Sequence, residues 1–240
     1  MIEEFHEICN VLVSKLNSRN VKISRDVVVE GIALANPVVG VAATGANSFL
    51  DTLDNYLLSR LLMGLSSGLN QEKQINDLYN FVKTSEERAF LVGTIFKQTM
   101  ASQSPKACVV MGKILANHIG DNESDFTRDE IIALTALANA TDYDLESFSI
   151  IMRQCVKNDE NGAKRISYNK SIDKIEDMIP ELNSTCAWCT YNRLFTYNPM
   201  EWGSFDGEKL IVDTHYKITA SSEILIRWID EVKQIWDYGK

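Results

Sequence analysis

Two cysteines stand two residues apart in the segment "CAWC", at Cys186 and Cys189. Zinc-binding proteins use this spacing, because two thiolates placed in this way reach the same tetrahedral ion. His6 and Cys9 are residue types that could complete such a site with a third thiolate and an imidazole. No sequence feature brings the two pairs together, and buried cysteines also behave as small apolar residues of a core. The sequence leaves both alternatives open and favours the buried pair.

A second candidate metal site lies in the segment "DNESDFTRDEII". Its carboxylates Asp121, Glu123 and Asp125 occupy the first, third and fifth positions of a calcium-binding loop. The sixth position is Phe126, where such a loop needs glycine, and the twelfth is Ile132, where it needs a bidentate glutamate. We therefore favour a solvated acidic loop between two helices and keep the three carboxylates as candidate metal ligands.

The segment "GLSSG" matches the G-x-S-x-G pattern of hydrolase nucleophiles, with Ser66 as the serine. That chemistry requires a strand before the serine, whereas the preceding "LDNYLLSRLLM" has apolar residues at helical spacing. We predict the end of a helix at this point. The chain has only three histidines, and we can assemble no nucleophile, base and orienting group from its residues. The sequence thus predicts no cofactor and a protein that is not an enzyme.

Residues 31–50, "GIALANPVVGVAATGANSFL", contain no charged side chain. The tract has the length of a membrane-spanning helix, but its proline, asparagine and threonine residues make insertion unfavourable. Gly40 and Gly45 have the spacing of a phosphate-binding loop, yet Ala46 stands where that loop requires lysine. We predict that the tract lies inside the protein as a tightly packed pair of short helices. The alternative is a segment that a trigger exposes to a membrane or a partner, with the candidate residues Pro37, Val38, Val39, Val41, Ala42 and Ala43.

The composition is that of a globular protein with a sizeable core, since 45% of the 240 residues are hydrophobic and 24% are charged. The formal net charge of -9 makes nucleic-acid binding over a large surface unfavourable, because an acidic surface repels phosphates. The five cysteines are an odd number, and the start "MIEEFHEICN" lacks the apolar stretch of a secretion signal. We therefore expect a protein of the reducing cytoplasm.

Apolar residues recur at helical spacing along most of the chain, which predicts amphipathic helices. Two helix starts carry the pattern of a capping box, Thr84 with Glu87 and Thr127 with Glu130. Ser104, which precedes a proline, marks a third start. The helices predicted from these signals span residues 85–102, 105–119, 128–140 and 142–157.

The pattern changes in the last third of the chain. Residues 158–170 are polar and lack periodicity, which predicts a linker. An Asp206-Gly207 turn signal precedes a partly alternating run, which predicts a small hairpin, and an amphipathic helix follows it. The predicted fold class is mainly α: a multi-helical bundle at residues 1–157, followed by the linker and a small C-terminal α+β module with one hairpin at residues 171–240.

The order of several segments resembles bacterial helical proteins of the abortive-infection alpha type. The resemblance rests on "PVVGVAATGA", "KTSEERAFLVGTIFKQTMASQSPKACVVMGKILANHI", "RDEIIALTALANATDYDLESF" and "HYKITASSEILIRWID". It implies a role in phage defence or stress response and supplies no reaction. The central part is also similar to the tellurite-resistance B type, which implies metal ligands in the acidic loop, here Asp121, Glu123 and Asp125.

From these observations we expect a non-enzymatic protein-interaction component of phage defence or stress response. We expect it to contact a protein partner or a second copy of itself through an acidic helical surface. One alternative is a membrane-perturbing effector that uses residues 31–50 after activation. The other is a winged-helix-like nucleic-acid-binding protein, for which the candidate basic residues are Arg153, Lys157, Lys164, Arg165 and Lys170.

Overall fold

The computed structural model of the protein describes most of the chain after residue 49. The described ranges are residues 50–67, 74–121, 126–158, 164–168, 182–198, 204–206, 209–211 and 214–236. The charge-free tract lies outside them except for Leu50, so its candidate segment from Pro37 to Ala43 stays a prediction.

The described part of the chain is mostly helical and contains one small antiparallel sheet and a separate hairpin. This confirms the predicted fold class. The helices are α1 (Leu50–Ser66), α2 (Gln74–Thr84), α3 (Glu86–Ala101), α4 (Pro105–Asp121), α5 (Arg128–Ala138), α6 (Asp142–Gln154), α7 (Leu182–Tyr191) and α8 (Ala220–Val232). The strands are β1 (Val156–Asn158), β2 (Lys164–Tyr168), β3 (Phe195–Asn198), β4 (Ser204–Asp206), β5 (Lys209–Ile211) and β6 (Thr214–Ile218).

The contacts within the chain divide it into two units. The first unit contains Met1–Phe126 together with Glu231–Lys240, and the second contains Thr127–Asp230. This division does not test the domain boundaries predicted at residues 157 and 170, which stay predictions.

In the first unit, helices α1 and α4 cross at two glycines. A Cβ atom placed on Gly64 would lie 1.9 Å from the carbonyl oxygen of Val109, and one placed on Gly112 would lie 1.9 Å from the carbonyl oxygen of Leu61. The two backbones therefore touch directly at this crossing. Glycine in a helix interior costs about 1 kcal/mol relative to alanine, and the burial of the leucines around the crossing offsets that cost. Among the α1 residues whose burial the structure describes, the buried leucines are Leu57, Leu58, Leu61 and Leu65.

The start of α3 differs from the prediction. Its N-cap is Ser85, whose hydroxyl oxygen accepts a hydrogen bond from the backbone N–H of Arg88. The capping box predicted at Thr84 and Glu87 is therefore wrong. Thr84 is instead the last residue of α2 and donates its hydroxyl to the carbonyl oxygen of Phe81 at 2.7 Å. Because α2 ends there, a single residue separates two helices, and that residue has to serve as the cap.

The other predicted helix starts are confirmed. Thr127 and Glu130 form a complete capping box at the start of α5. The hydroxyl of Ser104 accepts from the backbone N–H of Ala107 at 2.9 Å at the start of α4. A further capping box joins Thr141 to Asp144 at the start of α6. Its third helical residue is aspartate, whereas the usual sequence pattern has glutamate or glutamine there.

The second unit is built around a four-stranded antiparallel sheet with the strand order β1-β2-β6-β3. Helix α7 packs on β3, and α6 packs on α7 and β1. Phe148 of α6 lies at the centre of this packing, with its ring 6.1 Å from that of Trp188 and 5.9 Å from that of Phe195. Strand β2 lies within the predicted linker at residues 158–170, where its five residues are too few to produce a clear alternating pattern.

The hairpin predicted at the Asp206-Gly207 signal is present as the pair β4–β5, in which Phe205 is opposite Leu210. The four-stranded sheet is a separate feature that the sequence does not predict. Its strands come from three separate stretches of the chain, so no local hairpin signal predicts it.

The glycine crossing makes a testable prediction. Gly64→Ala and Gly112→Ala should each lower the free energy of unfolding by about 2 kcal/mol or more, because the added methyl group collides with backbone and forces α1 and α4 apart. The measurement is the urea midpoint of the purified variants. Ser59→Ala, also on α1, is the matched control and should change the stability by less than about 0.5 kcal/mol. A glycine variant as stable as the unchanged protein would contradict the observed crossing.

Candidate functional site

The predicted acidic metal site lies almost entirely outside the described residues. Asp121 is the last residue of α4, and Glu123 and Asp125 fall in the undescribed stretch after it. Among the described residues, no three His, Cys, Asp or Glu side chains are grouped so that they could hold a metal ion. The three carboxylates stay predicted ligands.

Ser66, the candidate nucleophile, is the last residue of α1, as predicted from the helical spacing before it. Its hydroxyl donates to the carbonyl oxygen of Met63 at 3.1 Å. The residues before it form a helix where a nucleophile elbow needs a strand. No helix in the described ranges has the length and apolar character that crossing a membrane requires.

Cys186 and Cys189 both lie on α7 and are fully buried. The pKa of Cys186 is raised to about 12, first by burial and then by the nearby Cys155, while a hydrogen bond with Tyr216 acts in the opposite direction. The pKa of Cys189 is also raised well above its usual value, first by burial and then by Cys186 and Asp144. Both side chains are therefore neutral thiols at physiological pH, and they lie in the core as small apolar residues do.

Tyr216 of β6 joins this cluster from the sheet. Its pKa is raised to about 12, mainly by burial and then by the neighbouring Cys186. Its ring lies 5.5 Å from that of Tyr197 and 6.0 Å from that of Phe195. The cluster thus belongs to the packed side of the sheet, and its chemistry is that of a core.

The two faces of the sheet differ sharply. Residues opposite each other in neighbouring strands lie on the same face, and alternate residues of one strand lie on opposite faces. The packed face carries Ile166, Phe195 and Ile218, all of them buried. The other face carries a row of four residues that the register places opposite one another across all four strands: Lys157, Arg165, Lys217 and Thr196.

We call Lys157, Arg165 and Lys217 the cationic row. Lys157 and Lys217 are exposed, and Arg165 is half-buried between them. Neither lysine forms an ion pair within the described part of the chain. Three positive side chains in one line are notable because acidic residues outnumber basic ones by 33 to 24 in the whole chain.

The structure divides the basic residues that the sequence analysis groups together. Arg153 forms an ion pair with Asp230, and Lys164 forms one with Glu223 at 2.7 Å. These two residues are therefore paired with Asp230 and Glu223 of α8. Lys157 and Arg165 lie in the cationic row, and Lys170 lies outside the described residues.

A second exposed feature is the connection from α7 to β3. Arg193 has a φ of 62°, the left-handed conformation in which glycine is usual. The backbone N–H of Leu194 donates to the carbonyl oxygen of Cys189 at 2.8 Å. The backbone N–H of Arg193 donates to the carbonyl oxygen of Thr190 at 3.1 Å. These two hydrogen bonds define a Schellman motif, which ends the helix and fixes the position of Arg193.

The connection also exposes two aromatic residues. Tyr191, the last residue of α7, is 84% exposed, and Tyr197 on the edge strand β3 is 52% exposed. Together with Arg193 they form what we call the Tyr-Arg connection, three large side chains within seven residues of the chain. The sequence analysis does not single them out, because their significance depends on exposure and on the left-handed backbone.

No protein-family model, curated protein or solved structure matches the chain. The resemblance to abortive-infection and tellurite-resistance proteins stays a prediction. The function of the second unit therefore has to be inferred from its own geometry and chemistry.

The thiols give a prediction about reactivity. At pH 8, Cys186 in the native protein should react with iodoacetamide about a thousandfold more slowly than in denaturant, because its pKa rises from 9.0 to about 12 and only the thiolate reacts. Peptide mass spectrometry after timed labelling measures both rates. Equal rates in the two states would contradict the buried position of this side chain.

The same pKa shift predicts how stability depends on pH. Below pH 9 the thiol is protonated in both states, whereas at higher pH the unfolded chain loses the proton first. The free energy of unfolding should therefore fall as the pH rises from about 9 towards 12. Cys186→Ala serves as the control. The cavity left by the smaller side chain should lower its stability at pH 7, but its free energy of unfolding should fall less between about pH 9 and 12.

Arg193 gives a prediction with the opposite sign. Arg193→Gly should raise the free energy of unfolding by roughly 0.5–1 kcal/mol, because the left-handed conformation costs a non-glycine residue about 1–2 kcal/mol and the extra entropy that glycine loses is smaller. Arg193→Ala is the matched control, since it removes the guanidinium group and keeps the strain. Urea denaturation compares the two variants. A glycine variant no more stable than the alanine variant would show that the backbone is unstrained here.

Proposed function

We propose that this protein is a non-enzymatic protein-interaction component of the cytoplasm, and that its second unit binds a partner protein through the Tyr-Arg connection. The observation that carries the proposal is the strained backbone at Arg193 between two exposed tyrosines. Strained residues persist where the surrounding structure holds them, and they are concentrated at functional sites.

The side-chain types support a protein partner. Tyrosine and arginine are the residues in which binding energy at protein interfaces is concentrated, because they combine a large contact area with hydrogen-bonding groups. A tyrosine with 84% of its surface in water, such as Tyr191, contributes little to the stability of its own fold. The hydrogen bonds at Arg193 are made by its backbone, whose carbonyl oxygen accepts from the hydroxyl of Thr219 at 3.2 Å.

The cytoplasmic location is supported by the cysteines. All four cysteines among the described residues are free thiols in buried positions, which suits a reducing compartment. A role in phage defence or stress response rests on the sequence resemblance and is part of the proposal. The sequence pointed to an acidic helical surface as the contact, and the exposed side chains favour the Tyr-Arg connection in its place.

Site-specific photo-crosslinking in the native cell tests the proposal. A crosslinking amino acid at position 191 should give an adduct with one defined protein, or with a second copy of this chain. The adduct should become several-fold weaker in Arg193→Gly, although that variant is the more stable one. The matched control is a crosslinker at Phe90, which is 53% exposed in the first unit and should give no such adduct. Identical adducts from both positions, or a small molecule turned over by the purified protein, would contradict the proposal.

A further inference from the structure

We infer that the start of α8 holds the Tyr-Arg connection in its binding conformation, and that Thr219 and Ser222 are the positioning residues. Their hydroxyl groups fix the backbone after α7 in the shape that presents Arg193 to a partner. The inference rests on the proposed function, because it names what sets the affinity of that surface. Neither residue has to touch the partner for this role.

The donors at the start of α8 converge on two carbonyl groups of the connection. The hydroxyl of Thr219 shares its one hydrogen between the carbonyl oxygen of Leu194 at 2.7 Å and that of Arg193 at 3.2 Å. The backbone N–H of Thr219 donates to the same oxygen of Leu194 at 3.2 Å. The hydroxyl of Ser222 donates to it as well. Three donors from one helix start therefore meet at the residue that follows Arg193.

These hydrogen bonds act on the peptide groups that give the connection its shape. The peptide plane between Arg193 and Leu194 is rigid, so a donor at its carbonyl oxygen restrains the backbone angles on both sides. Arg193 has a φ of 62°. If it returned to the right-handed region, the carbonyl groups would turn away from the hydroxyl groups of α8. The donors therefore stabilise the left-handed conformation against less strained alternatives.

The helix end alone does not explain why arginine keeps this conformation. The residue at this position of a Schellman motif is usually glycine, which adopts the conformation without strain. A strained residue persists only where the surrounding structure holds it, and here a second helix supplies the additional hydrogen bonds. Ser222 is fully buried, so water does not replace its hydroxyl group. A connection held in this way raises affinity, because the partner does not have to order it on binding.

Ser222→Ala is the main test variant, and Ser221→Ala is its matched control. Both serines are buried in the first turn of α8, and the hydroxyl of each donates a hydrogen bond to one acceptor residue. The hydroxyl of Ser221 donates to a carboxylate oxygen of Asp129 on α5 at 2.7 Å, so its loss leaves the donors to the connection in place. The two substitutions should lower the overall stability to a similar extent. Only Ser222→Ala should release the connection.

Substitutions at Thr219 provide a second pair of variants. Thr219→Val removes the hydroxyl group and keeps the shape of the side chain, whereas Thr219→Ser keeps the hydroxyl group. The hydroxyl oxygen of Thr219 also accepts from the backbone N–H of Ser222 at 3.4 Å, so Thr219→Val also weakens the start of α8 itself. Rescue by Thr219→Ser separates the role of the hydroxyl group from that of the side-chain volume.

Hydrogen–deuterium exchange with mass spectrometry on the full-length protein measures the positioning without a partner. Peptides that cover residues 190–196 should exchange about fivefold faster in Ser222→Ala and in Thr219→Val, because the loss of one hydrogen bond changes a local equilibrium by about that factor. In Ser221→Ala and Thr219→Ser the change should stay below about twofold.

The photo-crosslinked adduct at position 191 measures the consequence for binding. Its yield should be about fivefold lower in Ser222→Ala and in Thr219→Val, in parallel with the exchange rates. The two control variants, Ser221→Ala and Thr219→Ser, should keep the yield of the unchanged protein within about twofold.

Two results would overturn the inference. Equal exchange in Ser222→Ala and Ser221→Ala would show that the start of α8 does not hold the connection. Faster exchange in Ser222→Ala with an undiminished adduct would show that the held conformation does not set the affinity. A failure of the proposed function gives a different result: position 191 captures no protein in the unchanged chain, while the exchange rates of the variants still support the positioning role of Ser222.

Discussion

The alternation of side chains along the strands of the second unit decides both what this unit buries and what it exposes. Ile166, Phe195 and Ile218 are buried on one face of the sheet, and this burial supplies the free energy that holds the sheet together. Once that face is fixed, every intervening residue has to point the other way, since a slip of one residue would expose the whole apolar set. The packing of one face of the sheet therefore holds the cationic row on the other face.

A comparable constraint acts in the first unit, where α1 and α4 touch backbone to backbone at Gly64 and Gly112. Any larger residue at either position would separate the helices and open space among the leucines around them. The two units thus depend on different kinds of packing, close helix contact in one and one-sided sheet burial in the other. The exposed groups with binding chemistry that we identify, the cationic row and the Tyr-Arg connection, both belong to the second unit.

Features set by neighbouring residues could be predicted from the sequence, and features set by distant ones could not. The starts of α4 and α5 depend on a serine or threonine and the next few residues, so their caps were predictable. The cap at Ser85 was missed because it depends on where α2 ends. The cationic row joins residues 157, 165 and 217 through strand pairing, and the left-handed Arg193 stands where sequence rules expect glycine. No local sequence pattern predicts either the cationic row or the left-handed conformation of Arg193.

Acetylation of lysines in the isolated protein, followed by peptide mass spectrometry, tests most directly whether one face of the sheet is open. Lys106 is buried and provides the slow reference, and the exposed Lys97 provides the fast one. The account predicts that Lys157 and Lys217 react at the rate of Lys97. Protection of both lysines to the level of Lys106 would show that this face is covered and would contradict the account.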